Sequence, residues 1–188
     1  MRGKGETGWR SHPSLFRQEV DVSRSKKEVG SSGGLSVLAE QRKVSSDIRI
    51  TPEDVFSCTR ETETDLWRKT GAVHCSVLFS EGKCVVKSSD VGRHNTVNKV
   101  VGYAILNRVD LSRCVIGCAG RQPAGMIKKD ANAGIPVVIS RAASTDKGIA
   151  GADAAGITLV YFSRGDRFTI YTHPEQIMGA GNSLSRTM

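Results

Sequence analysis

A layered α/β domain with helices on both faces of a sheet is the fold class predicted for this chain, on three observations. From about residue 51 onward, short apolar runs suited to strands alternate with segments of helical period. The unusual polar residues cluster where a run of the first kind passes into one of the second. And 188 residues with 38% hydrophobic content suffice for one modest core. The first fifty residues differ: they carry ten Lys/Arg against six Asp/Glu, are rich in Gly and Ser, and lack long apolar runs. The expected organisation is a basic, loop-rich segment over 1–50, an α/β unit over 51–178 and a flexible tail over 179–188.

The elements follow in order. Thr51-Pro52-Glu53-Asp54 carries a helix-start signal, with Thr at the cap, Pro in the first turn and an acid three residues on. Val55, Cys58, Thr62 and Leu66 continue at helical spacing, so one helix is expected to end before Gly71. His74 to Phe79 and Cys84 to Ser88 flank Ser80-Glu81-Gly82-Lys83, a loop suited to a β-hairpin. The second strand leads into Asp90-Val91-Gly92-Arg93-His94-Asn95, after which Val97, Val100, Val101, Ala104 and Ile105 mark a helix face. Cys114 to Cys118 is a strand, and Gly120-Arg121 opens a crossing into a helix through Met126 to Ala133. Ile135 to Ile139 is the next strand, closed by Ser140-Arg141. A helix of small residues from about Thr145 to Ala155 stops at Gly156. Ile157 to Phe162 and Phe168 to Tyr171 are the last two strands, around Arg164-Gly165-Asp166-Arg167.

Composition narrows the function. The formal charge of +8 favours phosphate-rich partners, such as nucleotides, nucleic acid or an acidic protein. With 5% aromatic residues and no basic-aromatic interleaving, nucleic acid is disfavoured among them. No apolar run approaches the ~20 residues a membrane span requires, and the N-terminus lacks a secretory apolar core, so a cytoplasmic protein without membrane attachment is expected. Cys58, Cys75, Cys84, Cys114 and Cys118, an odd number, read as reduced thiols rather than a disulfide framework. They lack zinc-site spacing: the nucleotide-deaminase signature is missing, and Cys114 and Cys118 lie four apart on one strand face.

Three strand ends carry the chemistry-bearing residues: Asp90, Gly92, Arg93, His94 and Asn95; Gly120 and Arg121; and Ser140 and Arg141 with Ser144 and Thr145. If their strands are parallel neighbours, these ends share one edge of the sheet, where ligands of open α/β sheets bind and helix N-termini attract anions. Arg93, Arg121 and Arg141 suit phosphate oxygens there, or each is a solvated loop residue. His94 beside Asp90 is either a proton-transfer group or a positioning residue.

These residues resemble the formate dehydrogenase accessory (FdhD) family. The resemblance lies in Thr70-Gly71-Ala72-Val73-His74, Asp90 to Asn95 with Lys99, Gly120-Arg121 with Met126 and Lys129, and Ala133-Gly134-Ile135-Pro136. It continues through Ser140-Arg141 with Thr145, Gly156 to Val160, and Arg164 to Arg167 followed by Tyr171-Thr172, with order and spacing kept from Thr70 to Ile177. It implies a cytidine-deaminase-like layered sheet without the deaminase zinc, in a cytoplasmic homodimer. It also implies a sulfur carrier that takes sulfur from a cysteine desulfurase and passes it to the molybdenum bis-guanine dinucleotide cofactor of formate dehydrogenase, held as a client. GDP is then a surrogate ligand. The family's cofactor-holding segment corresponds to Phe162, Ser163, Arg164, Gly165, Asp166 and Arg167.

The chain departs from the family at its sulfur chemistry. Where members carry a mobile Cys-Gly-x-Cys loop, Gly33-Gly34-Leu35-Ser36 stands here, and neither Gly33 nor Ser36 can bear a persulfide. Pro123-Ala124-Gly125-Met126 replaces the family's Ser-x-Glu-Met, removing a hydroxyl and a carboxylate. The β-rich region that precedes the loop in most members is largely missing, which fits a fragment, a degenerate copy or a late-started reading frame. Cys75, next to His74, is either a substitute sulfur carrier or a small side chain on the hairpin. Two functions follow: a sulfur-carrying maturation factor, or a cofactor-binding module without sulfur chemistry.

Overall fold

The computed structural model describes residues 42–165 and 167–180. Its helices are α1 (Pro52–Glu61), α2 (Asp65–Thr70), α3 (Arg93–Leu106), α4 (Ala124–Ala133) and α5 (Asp146–Ala155). Six strands, β1 (His74–Ser80), β2 (Lys83–Asp90), β3 (Val115–Cys118), β4 (Val137–Ser140), β5 (Thr158–Arg164) and β6 (Arg167–Thr172), form one sheet in the order β2-β1-β3-β4-β5-β6. β3, β4 and β5 are parallel; β1 is antiparallel to both β2 and β3, and β6 to β5.

Local chemistry explains the element boundaries. The Thr51 side chain accepts from the Asp54 N–H while the Asp54 carboxylate accepts from the Thr51 N–H, a full capping box at α1. The single helix expected across Thr51 to Gly71 is instead two. Thr62 ends the first, its hydroxyl donating to the Thr59 carbonyl, and Thr64 caps the second by accepting from the Trp67 N–H. Hydroxyl side chains compete with the helix ladder in this way, and two of them two residues apart interrupt the run. Glu81 and Gly82 both have positive φ, 51° and 72°, and close the two-residue hairpin turn in which Ser80 pairs with Lys83.

The sheet separates two cores. On one face α3, α4 and α5 cover Leu78, Ile116, Cys118, Val138 and Leu159; on the other, α1 and the segment around Ile177 cover Val77, Val115, Val137, Ile139 and Val160. Cys114, Ile116 and Cys118 alternate onto the first face, as their spacing predicts. Residues before Thr51 join the packing: Ile50 bridges to Ile177, donating to the Gln176 carbonyl and accepting from the Met178 N–H, and the Val44 N–H donates to the Ala155 carbonyl. On α3, Val97, Val100 and Ala104 are buried, whereas Ile105 is 65% exposed because it lies a further ~100° around the helix.

Candidate functional site

β2 and β3 are not neighbours, because β1 lies between them; two antiparallel pairings in succession restore the direction, however, so β2 runs the same way as β3, β4 and β5. One edge of the sheet therefore collects Asp90 at the end of β2, His74 at the start of β1, Gly120 and Arg121 beyond β3, Ser140 and Arg141 at β4, and Arg164 and Arg167 at the β5–β6 turn. The three groups singled out in the sequence are on this edge. α3, α4 and α5 begin there too. The N-caps of α3 and α4 are Gly92 and Pro123, neither with a side-chain cap, so their first N–H groups lie at the edge without a capping acceptor.

The residues divide into those that shape the edge and those that face it. Asp90 accepts from the Gly92 N–H at 2.8 Å, the Asn95 amide at 3.0 Å and Lys99 Nζ at 2.6 Å. Lys99 first, then the Gly92 N–H and Asn95, hold its carboxyl down to about 2. Asp90 and Asn95 thus fix the turn into α3. Ser140 is buried and donates to the Gly120 carbonyl at 3.0 Å, while Ser144 donates to the Gln122 carbonyl at 2.6 Å. Both pin the crossing that presents Arg121. Ser163 is likewise buried, hydrogen-bonded to Thr59 at 2.5 Å, which attaches β5 to α1.

Two imidazoles stand between these fixed points. His74 packs on Gly120 so closely that a Cβ there would come within 2.8 Å of its Nδ1. Burial, then the charge of Arg93, lowers the pKa of His74. Burial, then Lys129 and Arg93, lowers that of His94. Both rings are therefore neutral at pH 7, each able to donate from one nitrogen and accept at the other. Among the cationic residues, Arg93 is half-buried beside both rings, Arg121 is exposed, and Arg164 donates from Nε to the Arg141 carbonyl at 3.0 Å. Arg141 is partly engaged: its Nη2 pairs with Glu63 at 2.8 Å and its guanidinium lies 5.6 Å from the Trp67 ring centre.

Phe162 is exposed, with φ 52° at an irregularity in the β5–β6 pairing, and Gly165 has φ 58°. Gly33, Ser36 and Asp166 lie outside the described residues. Cys75 is buried on the α1 face, and burial raises its thiol pKa; with the adjacent His74 neutral, the imidazolium expected to favour a thiolate is not supplied. Burial likewise raises Cys58, Cys114 and Cys118. Cys84 is exposed but is the second residue of β2, six positions before Asp90 at the site edge. Among the described residues, no group of three His, Cys, Asp or Glu converges as a metal site would, and no helix is long and apolar enough to cross a membrane.

Several participants were not singled out in the sequence. Gln122 is fully buried and donates to the Gly120 carbonyl at 3.1 Å. Asp130, on α4 behind the edge, is fully buried, and desolvation lifts its pKa to about 8. Glu63 and Trp67 reach the edge from α2 and the turn before it. A polar residue inside an otherwise helical apolar pattern is the signal that would have found Asp130; Glu63 and Trp67 carry none, since their role depends on a contact with β4.

Comparison with known proteins gives the chain its relatives. The model of the FdhD/NarQ family matches residues 11–178. The sulfur carrier protein FdhD of Thermoplasma acidophilum is 38% identical over 152 residues, 79% of this chain and 54% of that protein. The protein of the same name from Wolinella succinogenes is 35% identical over 151 residues, 79% of this chain and 53% of that protein. The chain thus spans about half the length of these curated relatives. A crystal structure described as that of a formate dehydrogenase accessory protein from Desulfotalea psychrophila superposes with a TM-score of 0.69 at 33% identity, covering 74% of this chain and 61% of that one. With a family model matching most of its length and a solved relative sharing its six-stranded α/β fold, the chain belongs to the FdhD/NarQ family.

Proposed function

We propose that this chain serves formate dehydrogenase maturation by holding the molybdenum bis-guanine dinucleotide cofactor, as a client, along the C-terminal edge of β3, β4 and β5. The observation that carries the reading is the convergence of Arg93, Arg121, Arg141 and Arg164 with the uncapped starts of α3 and α4 on one sheet edge. Guanidinium forks and helix N-termini are suited to pyrophosphate oxygens. Neutral His74 and His94 add hydrogen-bond partners without competing charge. Strand order and helices on both faces support a cytidine-deaminase-like layering, and the family's cytoplasmic homodimer is part of the same reading. In the sulfur-carrier form, a cysteine desulfurase supplies the sulfur.

A second reading, a binding module without sulfur chemistry, is favoured by the cysteines themselves. The family's thiol positions are Gly33 and Ser36, and four of the five cysteines are buried with raised pKa values. Incubation with a desulfurase and labelled cysteine, followed by intact-mass measurement, separates the two. A gain of one sulfur per chain supports the carrier; no gain supports the module. Ligand binding is tested first: GDP should raise the melting temperature by mass action, and the joint substitution Arg164→Ala and Arg167→Ala should abolish the rise. A folded wild-type protein indifferent to GDP contradicts both readings.

A further inference from the structure

We infer that Glu63 and Trp67 form the base subsite of the bound nucleotide, with the indole as stacking face and the Glu63 carboxylate as the group that selects guanine. The inference rests on the nucleotide reading above and adds to it the residues that discriminate the base.

α2 is unusual in burying none of its six residues: Leu66 is 50% and Trp67 41% exposed. A surface helix ordinarily covers core with an apolar stripe, and this one covers none. Arg141 at the end of β4 links it and the turn before it to the sheet, through the 2.8 Å pair with Glu63 Oε1 and the approach of the guanidinium to the Trp67 ring. The Thr64 hydroxyl accepts the Trp67 N–H at 3.1 Å, so the cap fixes Glu63 and Trp67 relative to one another while both meet one guanidinium. The Arg141 carbonyl in turn receives Arg164 Nε at 3.0 Å. An aromatic face, a carboxylate and a cationic turn are therefore contiguous along the β4–β5 end of the crevice.

These three groups match the parts of a guanine nucleotide. Arginine suits its phosphates. Any base stacks on an aromatic ring, so Trp67 contributes affinity without choosing the base. Guanine alone among the common purines places a ring N–H and an amino group side by side on one edge, two donors spaced like the two oxygens of a carboxylate. Adenine puts a bare ring nitrogen at the corresponding position, which a carboxylate repels. Glu63 contacts Arg141 through Oε1 and, at 3.5 Å, Arg68 through Oε2. Each carboxylate oxygen accepts about two bonds, so one position on each remains. Arg141 acts here as a positioning residue, holding the carboxylate in place.

The test uses the full chain with Trp9→Phe, which leaves Trp67 as the single tryptophan. GDP, IDP and ADP are titrated while indole emission and calorimetric Kd are recorded. GDP should quench the emission. IDP, which lacks the amino group, and ADP should each bind about tenfold or more weakly than GDP, the scale of a lost charge-assisted hydrogen bond. Glu63→Gln should reduce GDP affinity by a similar factor and leave ADP unchanged, removing the preference; Trp67→Ala should weaken all three nucleotides together. GDP binding that leaves Trp67 emission unaltered, or a GDP-to-ADP ratio unaffected by Glu63→Gln, overturns the base subsite while leaving the phosphate site intact. Absence of binding by every nucleotide to the folded chain overturns both. Both side chains are exposed or half-exposed, and thermal melts of each variant confirm that the fold persists.

Discussion

The two faces of the sheet are sealed by different chemistry. On the α1 face the core is apolar from Val55 and Cys58 through Val77 and Ile139 to Ile177, with Phe56 edge-on to Phe168, and its buried Thr59 and Ser163 hydroxyls satisfy each other. The α3–α5 face is equally apolar at its centre, around Leu78, Ile116 and Leu159, yet it also encloses Gln122, Asp130 and Tyr161. Neither Asp130 oxygen, nor Gln122 Oε1, has a hydrogen-bond partner among the described residues. Burying such groups unpaired costs free energy, and most folded proteins avoid it. The cost falls on the face whose three helices start at the proposed ligand edge, while the opposite face is an ordinary hydrophobic seal. Departures from local rules are expected where a fold serves a function, and Asp130 and Gln122 lie behind the edge proposed above.

This contrast can be broken at four points. The largest effect is expected on the α3–α5 face. A Cβ at Gly148 would lie 2.4 Å from both the Gln122 carbonyl oxygen and Ser144 Oγ, and a backbone carbonyl yields little. Gly148→Ala should therefore destabilise by about 3 kcal/mol despite the better helix propensity of Ala; a denaturant midpoint equal to wild type would show that α5 does not hold the Arg121 crossing. Next comes Asp130. Its folded pKa, about 8, lies above its unfolded value. Between roughly pH 4 and 8 the unfolded chain has released a proton that the native state keeps, so stability falls as pH rises through that window. Asp130→Asn should flatten this fall and stabilise by about 2 kcal/mol near pH 8. Parallel pH profiles for the two proteins would mean that the carboxyl is solvated.

On the α1 face the same kind of change should be milder. A Cβ at Gly117 meets Cys58 Sγ at 2.6 Å and a Val77 methyl at 2.8 Å, and side chains can shift where a carbonyl cannot. Gly117→Ala should destabilise by about 1–2 kcal/mol, and a loss larger than that of Gly148→Ala would reverse the comparison. The smallest effect concerns the turn into α3. Removing the ammonium in Lys99→Ala should let the Asp90 pKa rise toward the ordinary carboxylate range, since Lys99 is the first cause of its depression. A carboxyl NMR titration reads this directly, and an unmoved Asp90 would assign the depression to the Gly92 N–H and Asn95.

Much of the fold was legible because local rules and the global fold agree. The capping box at Thr51, the Glu81-Gly82 turn and the Gly156 stop, where φ is 76°, each rest on a few neighbouring atoms. The split at Thr62 and Thr64 is not legible, because the apolar period runs across it and two hydroxyls override it. The site was partly legible. The residues at the strand ends do share one edge, although β1 intervenes between β2 and β3. Asp90, Asn95, Ser140 and Ser163, expected among the ligand contacts, each place a polar atom on a protein partner. Residue type marks a polar group as unusual, but its direction depends on which neighbour lies within 3 Å.

Element types, helix caps, the hairpin turn and the face shared by Cys114 and Cys118 all follow from the residues themselves, because they depend on chain stereochemistry and periodicity. The order of strands, the gathering of Arg93, Arg121, Arg141 and Arg164 on one edge, the neutral state of His74 and His94, the burial of Asp130 and the meeting of Glu63 and Trp67 with Arg141 do not. Each depends on groups brought together from distant parts of the chain and on water being excluded between them, and contact and desolvation exist only once the chain has packed.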